Sequence, residues 1–237
     1  DRGDQTRAIL EFLMRLEVEA AKAGGRVHAL LGNHEAMNMH GDLRYLTPGE
    51  RAAYADLSPV PDAADTLKGT HGHTAAFALE GRYGRWLRNH PGVIRIDDTL
   101  FVHGGIAPAV PGETLSSLNR WIRRDLFPAQ PAGGARDSNG PLWFRGYALQ
   151  PEAELSSGLD AVLKRFGARR MVMGHTTTDG EIKQRFNGRA LFIDTGMSAS
   201  KGGHPAALEI ARGRLTALYP DRKVTLTPPQ GPTDPIK

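Results

Sequence analysis

The sequence predicts an α/β fold built on a mixed sheet or two stacked sheets, and three observations carry that reading. Short apolar runs alternate with helix-period segments through the middle of the chain, as interleaved strands and helices do. Three of those runs end in a histidine within two residues of a glycine: Asn33-His34, His103 and His175. Toward the C-terminus the strand-like runs draw closer together, which does not suit a purely parallel sheet.

Each element follows from its pattern. From Asp4 to Gly25 the residues Ile9, Phe12, Leu13, Leu16 and Ala20 recur at helical spacing, and Gly24-Gly25 closes the helix. Val27 to Leu31 is a short apolar run, read as a buried strand, and Gly32-Asn33-His34-Glu35 follows at once. Residues of about 37–72 are more polar, carry Gly, Pro and short helical fragments, and read as a loop-rich insertion. Thr99 to Val102 is the next strand, ending in His103-Gly104-Gly105. Leu115, Leu118, Ile122 and Leu126 line one helix, and Leu159, Val162, Leu163 and Phe166 line another, closed by Gly167. Met171 to Met173 leads into Gly174-His175-Thr176, and Leu191–Ile193 and Leu215–Tyr219 read as further strands. The domain is expected over 1–226, with a disordered proline-rich tail over 227–237.

Composition narrows the classes. The chain has 237 residues, 40% hydrophobic and 24% charged, which suits a globular protein with a sizeable core. The absence of cysteine excludes disulfides, thiolate metal sites and cysteine nucleophiles. A net charge of +4 with dispersed arginines is no nucleic-acid signature, and no apolar run reaches membrane-spanning length.

The three histidines hold the chemistry. Strand ends in an α/β fold are where ligands bind, and imidazole and amide oxygen suit borderline divalent cations. A single histidine after a strand is more often a satisfied polar residue; three at one structural position are hard to assign to chance. Other candidates carry less. His71 and His73 read as polar surface residues of a loop, Trp86 and Trp121 as packing, and His204 equally as the far rim of the site or as part of a plain glycine-rich turn. His40 and Asp42 divide evenly between pocket and surface.

Asp1-Arg2-Gly3, Gly32-Asn33-His34-Glu35, His103-Gly104-Gly105 and Gly174-His175 together resemble the ordered motifs of the calcineurin-like metallophosphoesterases, phosphoprotein-phosphatase-like branch. Asn38-Met39, Gly41-Asp42-Leu43-Arg44-Tyr45, Trp86-Leu87-Arg88 and Pro141-Leu142-Trp143-Phe144-Arg145-Gly146 resemble the bacterial Shewanella-like protein phosphatases. The resemblance implies mixed β-sheets stacked as a sandwich and flanked by helices. It implies two divalent metal ions (Mn, Fe or Zn), a two-metal-activated water, and a phosphorylated substrate, plausibly a phosphoprotein. Asn33, His103 and His175 become metal ligands, His34 the general acid, and Asp1 its orienting partner. Arg2, Arg145 and Asn33 become phosphate-binding groups, and Glu35 braces the turn. The family pattern before Asp1 reads Gly-Asp-x-x-Asp-Arg-Gly, with an Asp-x-His pair further upstream. The resemblance therefore implies that the first metal's ligands precede Asp1, and that these 237 residues alone bind metal poorly and hydrolyse little. Hydrolysis of dinucleoside polyphosphates or nucleotides is the alternative activity, and a non-catalytic metal- or phosphate-binding remnant the alternative class. Metal identity, oligomeric state and compartment, periplasm or cytoplasm, stay open.

Overall fold

The helix expected from the first apolar stripe is α1 (Thr6–Lys22). In the computed structural model, which describes residues 1–60 and 69–229, it belongs to the first of two compact units, 1–91 with 125–131. The stripe does not pack as its spacing suggests: Leu10 is buried, while Ile9 is 54% and Phe12 47% exposed. Ile9, Leu10 and Leu13 instead border a cavity of about 280 Å³, shared with Ala29, Leu30, Trp86 and Leu87. Val27–Leu31, read as a buried strand, is not one. Strand identity requires a hydrogen-bonded neighbour, and here the one ladder-like bond is from Leu31 N to Pro91 O at 3.0 Å. Only Leu31 of this run is buried.

The helical fragments expected in the loop-rich region are the end of α2 (Asn33–His40), α3 (Pro48–Ala52) and the start of α4 (Thr70–Phe77), and α5 (Arg82–Leu87) follows. Residues 61–68 of that region lie outside the described residues, as do 230–237 of the expected tail. Thr227 is tied down, since Gln184 accepts from its N–H at 3.0 Å and donates to its carbonyl at 2.7 Å. His73, read as a surface residue, is fully buried on α4. The neighbouring Gly72 explains this. A β-carbon there would stand 1.9 Å from Tyr54 O, so only glycine lets the helix press its 72–73 face onto that backbone. The His73 ring stacks on Phe77 at 4.4 Å and meets Tyr54 edge-on at 4.8 Å. Trp86 packs, as expected, and also donates from Nε1 to Glu17 at 2.9 Å.

The second unit, 92–124 with 132–237, holds both sheets. β1 (Val93–Ile96) and β2 (Thr99–Val102) form a hairpin; α6 (Leu115–Arg123), α7 (Gly146–Leu149) and α8 (Glu152–Arg165) intervene before β3 (Arg170–Met173). β4 (Lys183–Arg185) and β5 (Ala190–Phe192) complete a five-stranded mixed sheet of order β1-β2-β3-β5-β4, parallel at β2/β3 and β3/β5. β3 is buried along its whole length, the mark of a parallel strand covered on both faces. β6 (Ala207–Ala211), β7 (Arg214–Leu218) and β8 (Lys223–Leu226) form an antiparallel sheet. Leu215, with Leu208 and Leu226, packs on Val172, Leu191, Phe101 and Ile193, which stacks the two sheets as the expected sandwich. Leu126, expected on α6, falls beyond its end and belongs to the first unit.

Asn119 joins α6 to β1. Its Oδ1 accepts from Gly92 N at 2.8 Å and Val93 N at 3.1 Å, and its Nδ2 donates to Val93 O at 2.8 Å. Asn119→Ala leaves these buried groups unpaired and is expected to cost roughly 2–3 kcal/mol, read as a lower midpoint in urea unfolding at an unchanged slope.

Candidate active site

In the first unit, Gly32 ends the extended run and opens α2, so that Asn33 and His34 occupy the helix's first turn. Glu35 Oε2 accepts from Gly32 N at 2.9 Å, bracing the turn as expected. His34 is placed by three neighbours. Its Nδ1 lies 2.6 Å from Asp1 Oδ1, and its Nε2 accepts from Arg2 Nε at 3.3 Å. The Tyr45 ring packs against it at 4.9 Å. The Asp1 side chain has no exposure, whereas His34 keeps 19%. With Nδ1–H given to a buried carboxylate, the imidazole is held in one tautomer and one orientation, with Nε2 on its working side.

Arg2 is exposed and lies over Tyr45, its guanidinium carbon 4.3 Å from the ring centroid. Tyr45 therefore touches both residues, a contact that the Asp42-Leu43-Arg44-Tyr45 stretch did not disclose because helix and loop meet only in three dimensions. Asp42 turns to Arg44 instead, at 2.6 Å, and this partner holds its carboxyl below the usual carboxylate range. Asn33 is buried. The cavity described above reaches Asp1 and Glu35 but is not lined by His34 or Arg2.

In the second unit, β2 and β3 pair Val102 with Met173, so His103 and His175 leave neighbouring parallel strands at the same edge. Their rings meet: His103 Nε2 is 3.1 Å from His175 Nδ1. His175 holds an uncommon left-handed backbone at φ 62. Its Nε2 lies 3.1 Å from Trp143 O, and Arg145 Nη1 donates to its carbonyl at 2.7 Å and to Thr176 Oγ1 at 3.1 Å. Among the described residues no three His, Asp or Glu side chains gather as a ligand cluster. What is present fits a borderline divalent cation. Two nitrogens each ~2.1 Å from one ion stand roughly 3.0–3.4 Å apart, which is the separation of this pair. Ligating histidines commonly give their other N–H to a backbone carbonyl, as His175 does. His204 does not join either group; its ring lies against Gly180 and Gly202.

The family model for calcineurin-like phosphoesterases matches residues 1–179, which takes in all four motifs. The chain belongs to the calcineurin-like phosphoesterases. Within reach of this family are an uncharacterized protein of Schizosaccharomyces pombe, 34% identical over 92% of this chain and 65% of its own length, and Shewanella-like protein phosphatase 2 of Arabidopsis thaliana, 30% identical over 90% and 64%. The crystal structure of the cold-active protein-tyrosine phosphatase of a psychrophilic Shewanella species superposes with a TM-score of 0.74 at 31% identity, covering 96% of this chain and 66% of that one. The chain thus spans a little under two thirds of the length of these relatives, and shares the calcineurin-like fold with them. No described helix is long and apolar enough to cross a membrane.

Proposed function

We propose that these residues form much of the active site of a metal-dependent phosphomonoesterase acting on phosphorylated proteins. The observation that carries this reading is the Asp1–His34–Arg2 array: a buried carboxylate 2.6 Å from Nδ1 of a partly exposed imidazole, with a guanidinium at its Nε2. Arg2 presents a planar, permanently charged donor to phosphate oxygens, beside the nitrogen that would protonate the leaving oxygen. In the acid form His34 Nε2 would carry that proton, with Arg2 giving its N–H to the phosphate instead of to Nε2, and Asp1 balances the ring's charge and keeps it from rotating. The family resemblance supports Asn33 in the first unit, and His103 and His175 in the second, as ligands of divalent metal ions, and Arg145 as a phosphate-binding group. When bound, two such ions neutralise phosphate charge and lower the pKa of an attacking water.

The names of the relatives favour phosphoprotein substrates, one being a protein phosphatase and one a protein-tyrosine phosphatase. The test is phosphate release by the full-length protein with added Mn²⁺, from a phosphotyrosine peptide, a phosphothreonine peptide and diadenosine tetraphosphate. Peptide turnover well above that of the dinucleotide is expected. No release from any of the three overturns the enzymatic reading, and preference for the dinucleotide overturns the choice of substrate.

A further inference from the structure

The segment Pro141–Arg145 touches His175 and the two glycines that follow His103, through groups that a sequence cannot display. Pro141 O accepts from Gly104 N at 2.8 Å and from Gly105 N at 3.2 Å, directly after His103. The approach is so close that a β-carbon on Gly104 would lie 2.9 Å from both Pro141 O and Trp143 N. Two residues on, Trp143 O takes the Nε2 side of His175, and Arg145 Nη1 takes the carbonyl of the same histidine. Gly174 N, bonded to His103 O at 2.9 Å, closes the circuit.

We infer that this segment is a positioning clamp for His175, with Arg145 as its working residue; the inference rests on the proposed role of His175 as a metal ligand. Two facts need an external cause. A non-glycine residue at φ 62 relaxes to a commoner backbone unless something holds it. A neutral imidazole also has two tautomers, and only the one with its proton on Nε2 turns a lone pair on Nδ1 toward His103 Nε2. Arg145 answers the first by gripping the His175 carbonyl with a charge-assisted hydrogen bond. Trp143 answers the second, and its carbonyl is kept in place by the bonds at Pro141 on one side and Arg145 on the other. Arg145 then does more than bind phosphate: it sets which nitrogen of His175 is offered and where.

The test uses the full-length protein with ¹⁵N-labelled histidine, as wild type, Arg145→Lys and Arg145→Ala. Side-chain ¹⁵N shifts of the metal-free protein report the His175 tautomer, and Mn²⁺ titration without phosphate reports affinity. Wild type is expected to show a single Nε2–H tautomer. Arg145→Ala should show mixed tautomers and bind Mn²⁺ about 10- to 100-fold more weakly, as loss of a ligand's supporting partner does. Arg145→Lys, which keeps one donor and guards against misfolding of the alanine variant, should recover most of both. Unchanged tautomer and affinity in Arg145→Ala, with only KM raised, overturn the clamp and leave a phosphate-binding arginine. A wild type that binds no Mn²⁺ overturns the ligand reading itself, and the clamp with it.

Discussion

His34→Asn is expected to lower kcat by 10²–10⁴ on a phosphoester with a poor leaving group, about 3–5 kcal/mol of transition-state stabilisation. Asparagine is close in size, so the buried Asp1 carboxylate keeps a hydrogen-bonding neighbour and the first turn of α2 keeps its shape. What disappears is the proton at the Nε2 position. The loss should therefore depend on how much the departing oxygen needs that proton. An alkyl phosphate, or a phosphothreonine peptide, leaves as a strongly basic alkoxide and should lose the most. p-Nitrophenyl phosphate leaves as a stabilised phenolate and should lose the least. Mn²⁺ affinity should not change, because Nε2 accepts from Arg2 and His34 is not one of the residues proposed to hold metal. Measured as kcat across a series of leaving groups, equal losses would show that His34 only positions its neighbours, and the assignment of the acid would fail.

How much of this was legible in the sequence depended on whether a feature is written in side chains. β2, β3, β5 and β7 overlap the apolar runs read as strands: β3 and β5 are buried at every residue and advertise themselves, and β7 alternates as a strand buried on one face does. β4, Lys183-Gln184-Arg185, and β8, Lys223–Leu226, were missed because edge strands keep polar side chains in solvent and owe their structure to pairing with a neighbour. Val27–Leu31 was the converse, apolar enough for a strand yet without a ladder. The GNHE motif was plain, but its helical setting was not, since Gly32 looks like a loop residue until it caps α2. At the site, the contact of Asp1 with His34 was implied by resemblance alone. The roles of Trp143 O and of the His175 backbone could not be read, because a carbonyl carries no residue identity and φ 62 is usually reserved for glycine or asparagine.

His73 supplies the last expected result, and it concerns stability. Its ring is fully buried between Tyr54 and Phe77, and neither nitrogen has a hydrogen-bond partner among the described residues. Burial first, and then nearby positive charge including Arg51, pushes its pKa down to about 4 from 6.5. The unfolded chain therefore binds a proton below about 6.5 that the folded chain refuses until about 4, so stability falls as pH falls through that window. The cost reaches roughly 2 kcal/mol at pH 5 and approaches ~3 kcal/mol at the lower end. Glu50 acts oppositely. Burial raises its pKa, so its folded form takes up a proton first as pH falls, and part of the loss is offset. Wild type alone would report only the sum. His73→Leu separates the two, since leucine is non-titrating and similar in bulk, and removing two unsatisfied nitrogens makes the change close to neutral at pH 7. In urea unfolding at a series of pH values, the variant should match wild type near neutrality and exceed it by roughly 2 kcal/mol at pH 5. Parallel curves for the two proteins would mean that His73 is charged when folded or has found a proton partner, and that the aromatic cluster around Tyr54 is built differently.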